Sequence, residues 1–237
     1  MEVVAGPHTL LRGLVASLLL TAGAGAGLAR ATPTIDAVFW AHLDPVPGSF
    51  DRDATVSVPA APLPTEDAAR RLLERARVVF SGMVYGHRFR YVPADARRRV
   101  AERFELAPVA ELPWGQGRLS VVDTYTDGDR FVGRLRLRLH DAERAHRDAW
   151  GSNSVAKGSG TGEGNRFLGA EGRQAALEDA IRAAVRNVLR DQITKPREIR
   201  GQVLLWTPPT TVADAGRFHT TATIKLIVDR VVPYRVF

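Results

Sequence analysis

Three arginines at alternate positions form the clearest chemical pattern in this 237-residue chain. Arg134, Arg136 and Arg138 alternate with apolar residues, which is typical of a β-strand with one polar face. Alternate strand residues share a face, so the three guanidinium groups would stand in a row roughly 6–7 Å apart. Such a row could bind an anionic surface or an acidic partner. The sequence favours the alternative, in which the three arginines form a solvated sheet face. No other residues of the sequence are candidates for a binding site.

The chain lacks the spacings that enzyme and metal sites usually show. It has no cysteine, which excludes disulfides, thiolate zinc ligands and a cysteine nucleophile. Neither a His-Glu-x-x-His nor a Gly-x-Ser-x-Gly motif occurs, and His140 and His146 would lie on different faces of a helix. Three acids near a predicted hairpin tip, Asp123, Asp127 and Asp129, are typical turn formers. We therefore predict no catalytic residue, no metal ligand and no cofactor.

A glycine-rich run at 158–164, Gly-Ser-Gly-Thr-Gly-Glu-Gly, precedes a predicted helix and raises the question of phosphate binding. A P-loop ends in Gly-Lys-Ser/Thr, because the lysine and the hydroxyl contact phosphate and metal. Here Glu163 and Asn165 stand near those places, and the G-x-G-x-x-G spacing also fails. We predict that residues 151–165 form a mobile Gly-rich loop.

Residues 1–31 have the organisation of an export signal. Arg12 precedes an apolar run at 14–22, and Ala29-Arg30-Ala31 fits the small-x-small pattern before a cleavage site. We predict cleavage between Ala31 and Thr32, with export to the periplasm or the outer envelope. The alternative is an uncleaved leader that anchors the chain in the inner membrane. After residue 31 no stretch is apolar and long enough to span a bilayer.

The basic balance of the chain has a simple explanation. Lysine and arginine total 33 against 26 acidic residues, but only Lys157, Lys195 and Lys225 are lysines. This skew towards arginine is typical of G+C-rich coding rather than of selection for phosphate contacts. A nucleic-acid binder would also be out of place outside the cytoplasm, so we predict no nucleic-acid partner.

The rest of the chain divides into a proline-rich extended segment at 32–64 and an α+β domain at 65–237. In the first segment, an apolar patch from Ile35 to Leu43 is suited to an edge strand. In the domain, half-polar strands and a hairpin signal predict an antiparallel sheet. A long amphipathic helix at about 170–190 packs on that sheet, with one or two shorter helices beside it.

Two local patterns lead to finer predictions. Valine-rich residues 78–92 are predicted to be a strand. Around Asp127-Gly128, burial of one apolar face favours an odd-numbered hairpin loop, with Phe131 beside Tyr125 and Leu135 beside Val121.

A weak internal echo raises the hypothesis of two related halves, at 65–150 and 166–237. Gly82-Met-Val84 reappears as Gly201-Gln-Val203, and each copy follows a predicted helix. Matches this short also arise by chance.

Two segments resemble known proteins. ARVVFSGMVYGHRFRYVPADA at 76–96, and KPREIRGQV at 195–203 before a long strand, resemble uncharacterised exported proteins of spirochaetes over roughly residues 76–235. That resemblance implies a periplasmic or outer-envelope location and no known activity. More remotely, GRQAALEDAIRAAVRNVL at 172–189 is similar to the amino-terminal module of flagellar assembly protein T and to related small envelope lipoproteins. The chain departs from the lipoproteins because it has no lipid-acceptor cysteine, and no functional residue is carried over.

The sequence favours a non-enzymatic envelope protein that acts as an assembly, scaffold or binding module. Its expected partner is an envelope protein or an anionic envelope surface. Two alternatives stay open, namely a hydrolase or transferase of envelope polymers with a site built from distant residues, and a small-ligand carrier. A pocket lined by convergent acids or histidines would favour the enzyme, and a closed core with an exposed arginine or apolar patch would favour the binding module.

Overall fold

Two antiparallel sheets and three helices make up the described part of the chain. The computed structural model describes residues 33–43, 65–96, 99–190 and 197–233, all of which belong to one compact unit, 32–237. The predicted leader, its Ala31–Thr32 cleavage site and most of the proline-rich segment lie outside the described residues. The elements in chain order are β1 (Thr34–His42), α1 (Thr65–Val84), β2 (His87–Val92), β3 (Arg103–Pro108), β4 (Leu119–Asp127), β5 (Arg130–Arg138), α2 (Asp141–Trp150), β6 (Ala156–Asn165), α3 (Gly169–Leu189), β7 (Arg197–Leu205), β8 (Thr210–Asp214) and β9 (Arg217–Pro233).

The sheets are arranged around α1. The smaller sheet has the strand order β1-β5-β4, and the larger one has the order β3-β2-β7-β9-β6, with β8 added to β9. α1 contacts β1 and β5 on one side and β7 on the other, whereas α3 packs against β6 and β9. The predicted α+β class is confirmed, as are the long helix and the strand at 35–43. None of the described helices is long and apolar enough to cross a membrane.

Helix α1 extends further than its sequence pattern predicts. The strand predicted at 78–92 begins only at His87, because residues 78–84 continue the helix. Val79 and Phe80 are fully buried and prolong the stripe that includes Leu72. Burial of that stripe between two sheets outweighs the β preference of the valines, which is a weak local term.

The prediction of a Gly-rich loop at 151–165 was wrong for most of that range. Residues 156–165 form β6, which pairs with β9 along its whole length. Its glycines lie directly against α3. A Cβ at Gly162 would lie 2.6 Å from the carbonyl oxygen of Ala176, and one at Gly164 would overlap the carbonyl oxygen of Gly172. The glycines therefore remove the side chains from one strand face and let a helix pack on bare backbone.

The β4–β5 hairpin has a two-residue turn, Gly128-Asp129, so the predicted odd-numbered loop was wrong. A two-residue turn places Phe131 opposite Thr126 instead of Tyr125, so that part of the register prediction was wrong. A bulge after Val121 then shifts the register by one residue, and Leu135 lies opposite Val121 as predicted. The bulge lets the turn fix one end of the hairpin and burial of the β5 side chains fix the other.

The two copies of the internal echo lie in different kinds of secondary structure, and the hypothesis of two related halves stays a prediction. Gly82 lies within α1, whereas its counterpart Gly201 lies within β7 beside a bulge. The matching letters therefore have different backbone conformations.

Replacing Gly162 with alanine should destabilise the fold by about 3 kcal/mol or more, because α3 would have to move away from β6. Chemical denaturation followed by circular dichroism measures this. Thr161→Ala, on the exposed side of the same strand, is the matched control and should change stability by about 0.5 kcal/mol or less. Equal stability of the two variants would contradict the close packing described above.

Candidate functional site

A cavity of about 530 Å³ lies beside the free edge of β1. This volume is within the range of about 300–1,000 Å³ that is usual for small-molecule sites. Five elements and one loop supply its lining. They are residues 36–40 of β1, Arg75 and Val79 of α1, Arg134 of β5, Arg173 of α3, Thr210 and Thr211 of β8, and the loop prolines Pro208 and Pro209. Three arginines that are distant in sequence thus converge on one cavity.

Arg75 is the most unusual residue of the site. It lies on the buried stripe of α1, three residues after Leu72 and four before Val79. Its guanidinium has no hydrogen-bond or ion-pair partner among the described residues. Although the group reaches the cavity, desolvation lowers its pKa to about 10, so it remains charged at neutral pH. An unpaired cation in a desolvated position is costly, and such groups are common at functional sites.

Arg173 is fixed in place by aromatic and backbone contacts. Its Nη1 donates to the carbonyl oxygen of Trp40 at 2.7 Å, and its guanidinium stacks 3.8 Å from the centre of the Trp40 ring. It also lies 4.8 Å from the ring centre of Phe218. Desolvation, together with repulsion from Arg75 and Arg130, lowers the pKa of Arg173 to about 9. The guanidinium is therefore oriented, but it is not neutralised by a carboxylate.

Asp36 is the carboxylate among the lining residues, and it already has a partner. Arg136, directly opposite on β5, donates to its two carboxylate oxygens at 2.8 and 2.6 Å. These hydrogen bonds and the charges of Arg136 and Arg134 hold the pKa of Asp36 below its usual value. Arg134 forms no direct ion pair within the described residues. The lining thus carries an excess of positive charge.

The predicted row of three arginines is divided between different environments. Arg134 lines the cavity, and Arg136 is bound to Asp36. Arg138 donates from Nη2 to the carbonyl oxygen of Gly117 at 2.9 Å and does not line the cavity. The structure therefore brings one of the three candidate residues to the site, and a role for the whole row at an anionic surface stays a prediction.

Arg75 and Arg173 were missed by the sequence analysis, although a signal for them exists. Both lie on the apolar stripe of a helix, Arg75 after Leu72 and Arg173 four residues before Leu177. An arginine at such a position either interrupts the packing of the apolar stripe or faces a cavity. The convergence of the two helices on β1 cannot be inferred from either stripe alone.

Among the three acids near the hairpin tip, Asp129 has a structural contact. Asp129 contacts the Nδ1 atom of His42 at 2.8 Å at the end of the smaller sheet. Burial opposes ionisation of Asp129, but the hydrogen bond from His42 outweighs it and lowers the pKa. Across the described residues, no group of three or more histidine or acidic side chains could hold a metal ion.

Comparison with known proteins adds family membership. A protein-family model matches residues 25–234. The chain belongs to that family. An uncharacterised protein of Treponema pallidum (strain Nichols) is 28% identical over 205 residues, which are 86% of this chain and 83% of the relative. The resemblance to an uncharacterised spirochaete protein is thereby confirmed, whereas the likeness to flagellar assembly protein T stays a prediction. No solved structure gives a significant match.

Replacing Arg75 with methionine should raise the free energy of unfolding by about 1–2 kcal/mol, because methionine keeps an unbranched apolar chain and removes the unpaired charge. Denaturant unfolding at neutral pH measures the change. Arg70→Met, at an exposed position of the same helix, is the control and should leave stability nearly unchanged.

The pH dependence of this difference has a defined sign. The pKa of Arg75 is lower in the folded chain than in the unfolded chain, so the unfolded state binds the proton more tightly. The charged Arg75 therefore reduces the free energy of unfolding of the wild type by its full amount below about pH 10, and by less above that pH. A less stable Arg75→Met variant would show that the guanidinium has a structural role instead.

Proposed function

We propose that this chain is an exported, non-enzymatic binding module of the cell envelope, and that its cavity binds an oxyanion. The guanidinium of Arg75 carries the proposal, because it is desolvated and unpaired on a cavity that Arg134 and Arg173 also line. Guanidinium groups bind carboxylate and phosphate oxygens in a bidentate fashion. A bound anion would supply the counter-charge that the described residues do not supply to Arg75.

The lining also indicates the general chemistry of the ligand. Arg75 and Arg173 repel each other, so a group with two oxyanions or a double negative charge would relieve the repulsion best. Phe39, Trp40 and Val79 supply apolar surface next to the charges. The ligand therefore combines a carboxylate or phosphate with an adjoining apolar part.

Binding is favoured over catalysis by the groups that the cavity offers. Arg173 and Arg75 stay protonated at neutral pH, since their lowered pKa values are still about 9 and 10, so they are suited to holding an anion and not to transferring a proton. Asp36 is held ionised by Arg136, and none of the described histidines lines the cavity. A small-ligand carrier is the second candidate, because the volume of about 530 Å³ would accept a small molecule.

Location and partner are inferred from the sequence. The leader at 1–31 supports export to the periplasm or outer envelope, and the likeness of residues 172–189 to the flagellar assembly protein T module favours an assembly role. An acidic envelope protein or an anionic surface would be the partner, and the cavity is the contact point that we propose on this chain.

Titration calorimetry with phosphate, phenyl phosphate and succinate tests the cavity. We expect the dissociation constant of the best ligand to rise about tenfold or more in Arg75→Met and in Arg173→Met, since each loses a charged hydrogen-bond donor. Affinity should also fall as the pH rises through 9–10, where these two groups lose their protons.

The control variant is Arg138→Ser, because Arg138 lies outside the cavity lining and should leave anion binding unchanged. Vesicles that contain anionic lipid test the alternative arginine row. If vesicle binding is lost in Arg138→Ser and kept in Arg75→Met, the sheet face is the binding surface and the cavity is not.

Mass spectrometry of the protein recovered from the envelope fraction tests export. We expect an N-terminus at Thr32 or a neighbouring residue, because signal peptidase cleaves after the small-x-small pattern that ends at Ala31. An intact Met1 in that fraction would support the anchored alternative, and intact protein confined to the cytoplasm would contradict export.

A further inference from the structure

Along the cavity lies a row of backbone groups that have no partner in the part of the chain that the structure describes. β1 is an outer strand of the smaller sheet, and residues 36–40 of β1 line the cavity. At the two ends of the pairing with β5, the Leu139 amide donates to the Pro33 carbonyl at 2.9 Å and the Leu43 amide donates to the Asp129 carbonyl at 2.7 Å. In an antiparallel pair the bonded positions alternate, so the odd-numbered residues of β1 direct their N–H and C=O groups towards β5.

The even-numbered residues of β1 therefore direct their backbone groups to the free edge. The Trp40 carbonyl agrees with this parity, since it accepts the hydrogen bond from Arg173. Within the described residues, the N–H and C=O groups of Asp36 and Val38 have no partner. The Val38 side chain is 57% exposed, so this part of the edge is accessible.

The opposite wall of the cavity is also a strand edge. β8 pairs with β9 on one side, and the carbonyl of Thr211 on its other side accepts a hydrogen bond from Nε1 of Trp40 at 3.2 Å. Pro208 and Pro209 precede it, and prolines are a common protection of strand edges. β1 has no proline or lysine between residues 34 and 42, and its one acid in the lining is bound to Arg136. None of the described residues thus protects its edge at Asp36 and Val38, where the cavity lies.

We infer that the cavity takes an extended segment of an acidic protein, which adds as a strand to the free edge of β1 and places a carboxylate on Arg75. The inference rests on the proposed anion site and specifies its ligand. The unpaired N–H and C=O groups would bond the peptide backbone, as in other cases of strand addition. Charge complementarity selects the acidic class, because no carboxylate of the described residues neutralises Arg75 or Arg173 next to the edge.

The geometry also predicts a sequence pattern in the partner. The buried side chains of β1, Ala37 and Phe39, face the same side as α1. Alternate residues of an added strand would face that side too, about 6–7 Å apart. One acid among them would reach Arg75, and the residues two positions away would meet the apolar surface of Val79 and Phe39.

Selection of random peptides of about 12 residues on the folded full chain tests this inference. We expect the binders to share an acidic residue flanked by apolar residues at alternate positions. Their dissociation constants should rise about tenfold or more in Val38→Pro, which removes one free-edge N–H without removing a bond to β5. Val38→Thr keeps that N–H and is the matched control, and inorganic phosphate should bind all three proteins equally.

Amide hydrogen exchange gives a second measurement that does not depend on a variant. The amides of Asp36 and Val38 should become protected when a selected peptide binds, whereas the amide of Val121 on the distant edge strand β4 should not change. Peptides that bind Val38→Pro as tightly as the wild type, or that bind without protecting these two amides, would overturn strand addition.

The outcomes separate this inference from the proposed function. If phosphate binding depends on Arg75 but the selection yields no acidic peptide, the cavity is a small-anion site and strand addition is wrong. If neither phosphate nor peptide binding changes in Arg75→Met, the proposed function fails as well. Dimerisation of the chain that is abolished by Val38→Pro would show that a second copy occupies the edge, which would also overturn the proposal.

Discussion

The contact between β6 and α3 is the constraint on which the rest of the structure depends. Four residues of a helix rise about 6 Å, and two residues of a strand advance about 6.6 Å, so small residues at these two spacings can stay matched over several steps. The chain uses this match, because the alternate glycines of β6 face Gly172, Ala176, Ala180 and Ala184 of α3. A single side chain at a strand glycine would separate the two backbones.

This contact also determines the position of the candidate site. Arg173 directly follows Gly172, the helix residue whose added Cβ would overlap the carbonyl oxygen of Asn165 on β6. The close approach fixes the first turns of α3 and so brings the guanidinium of Arg173 onto Trp40. On the other side, α1 is held between two sheets, and the same buried stripe that stabilises it carries Arg75 into a desolvated position. The elements that build the core therefore also concentrate positive charge beside β1.

Sequence periodicity could predict those parts of the fold that bury a regular stripe of side chains. The stripe from Leu177 to Leu189 predicted α3, and the alternating residues from Phe218 to Leu226 predicted β9. Periodicity failed for β6, because a glycine strand has no side chains to alternate, and its burial becomes visible only once the partner helix is known. The site was not predictable for a related reason. Trp40, Arg75 and Thr211 are brought together by the tertiary arrangement of the sheets and α1, which cannot be inferred from residue spacing along the chain.

Arginine is abundant in this chain, and the contrast between its environments is the strongest argument that the cavity is a functional site. Two buried acids elsewhere, Glu143 and Glu198, are matched to arginines. Glu143 accepts hydrogen bonds from Arg118 at 2.9 and 2.7 Å, and although burial opposes its ionisation, bonds from Arg118 and Tyr85 lower its pKa.

Glu198 is likewise bound by Arg90 and Arg200, and hydrogen bonds from Arg90 lower its pKa despite its partial burial. A carboxylate beside Arg75, or an apolar residue instead of Arg75, would be expected to increase the stability of the fold. Among the described residues neither is found at this point, where Arg173 and the free edge of β1 meet the same cavity. We expect Arg75 to lower the stability of the free protein, and this cost is accounted for when its counter-charge arrives with the ligand.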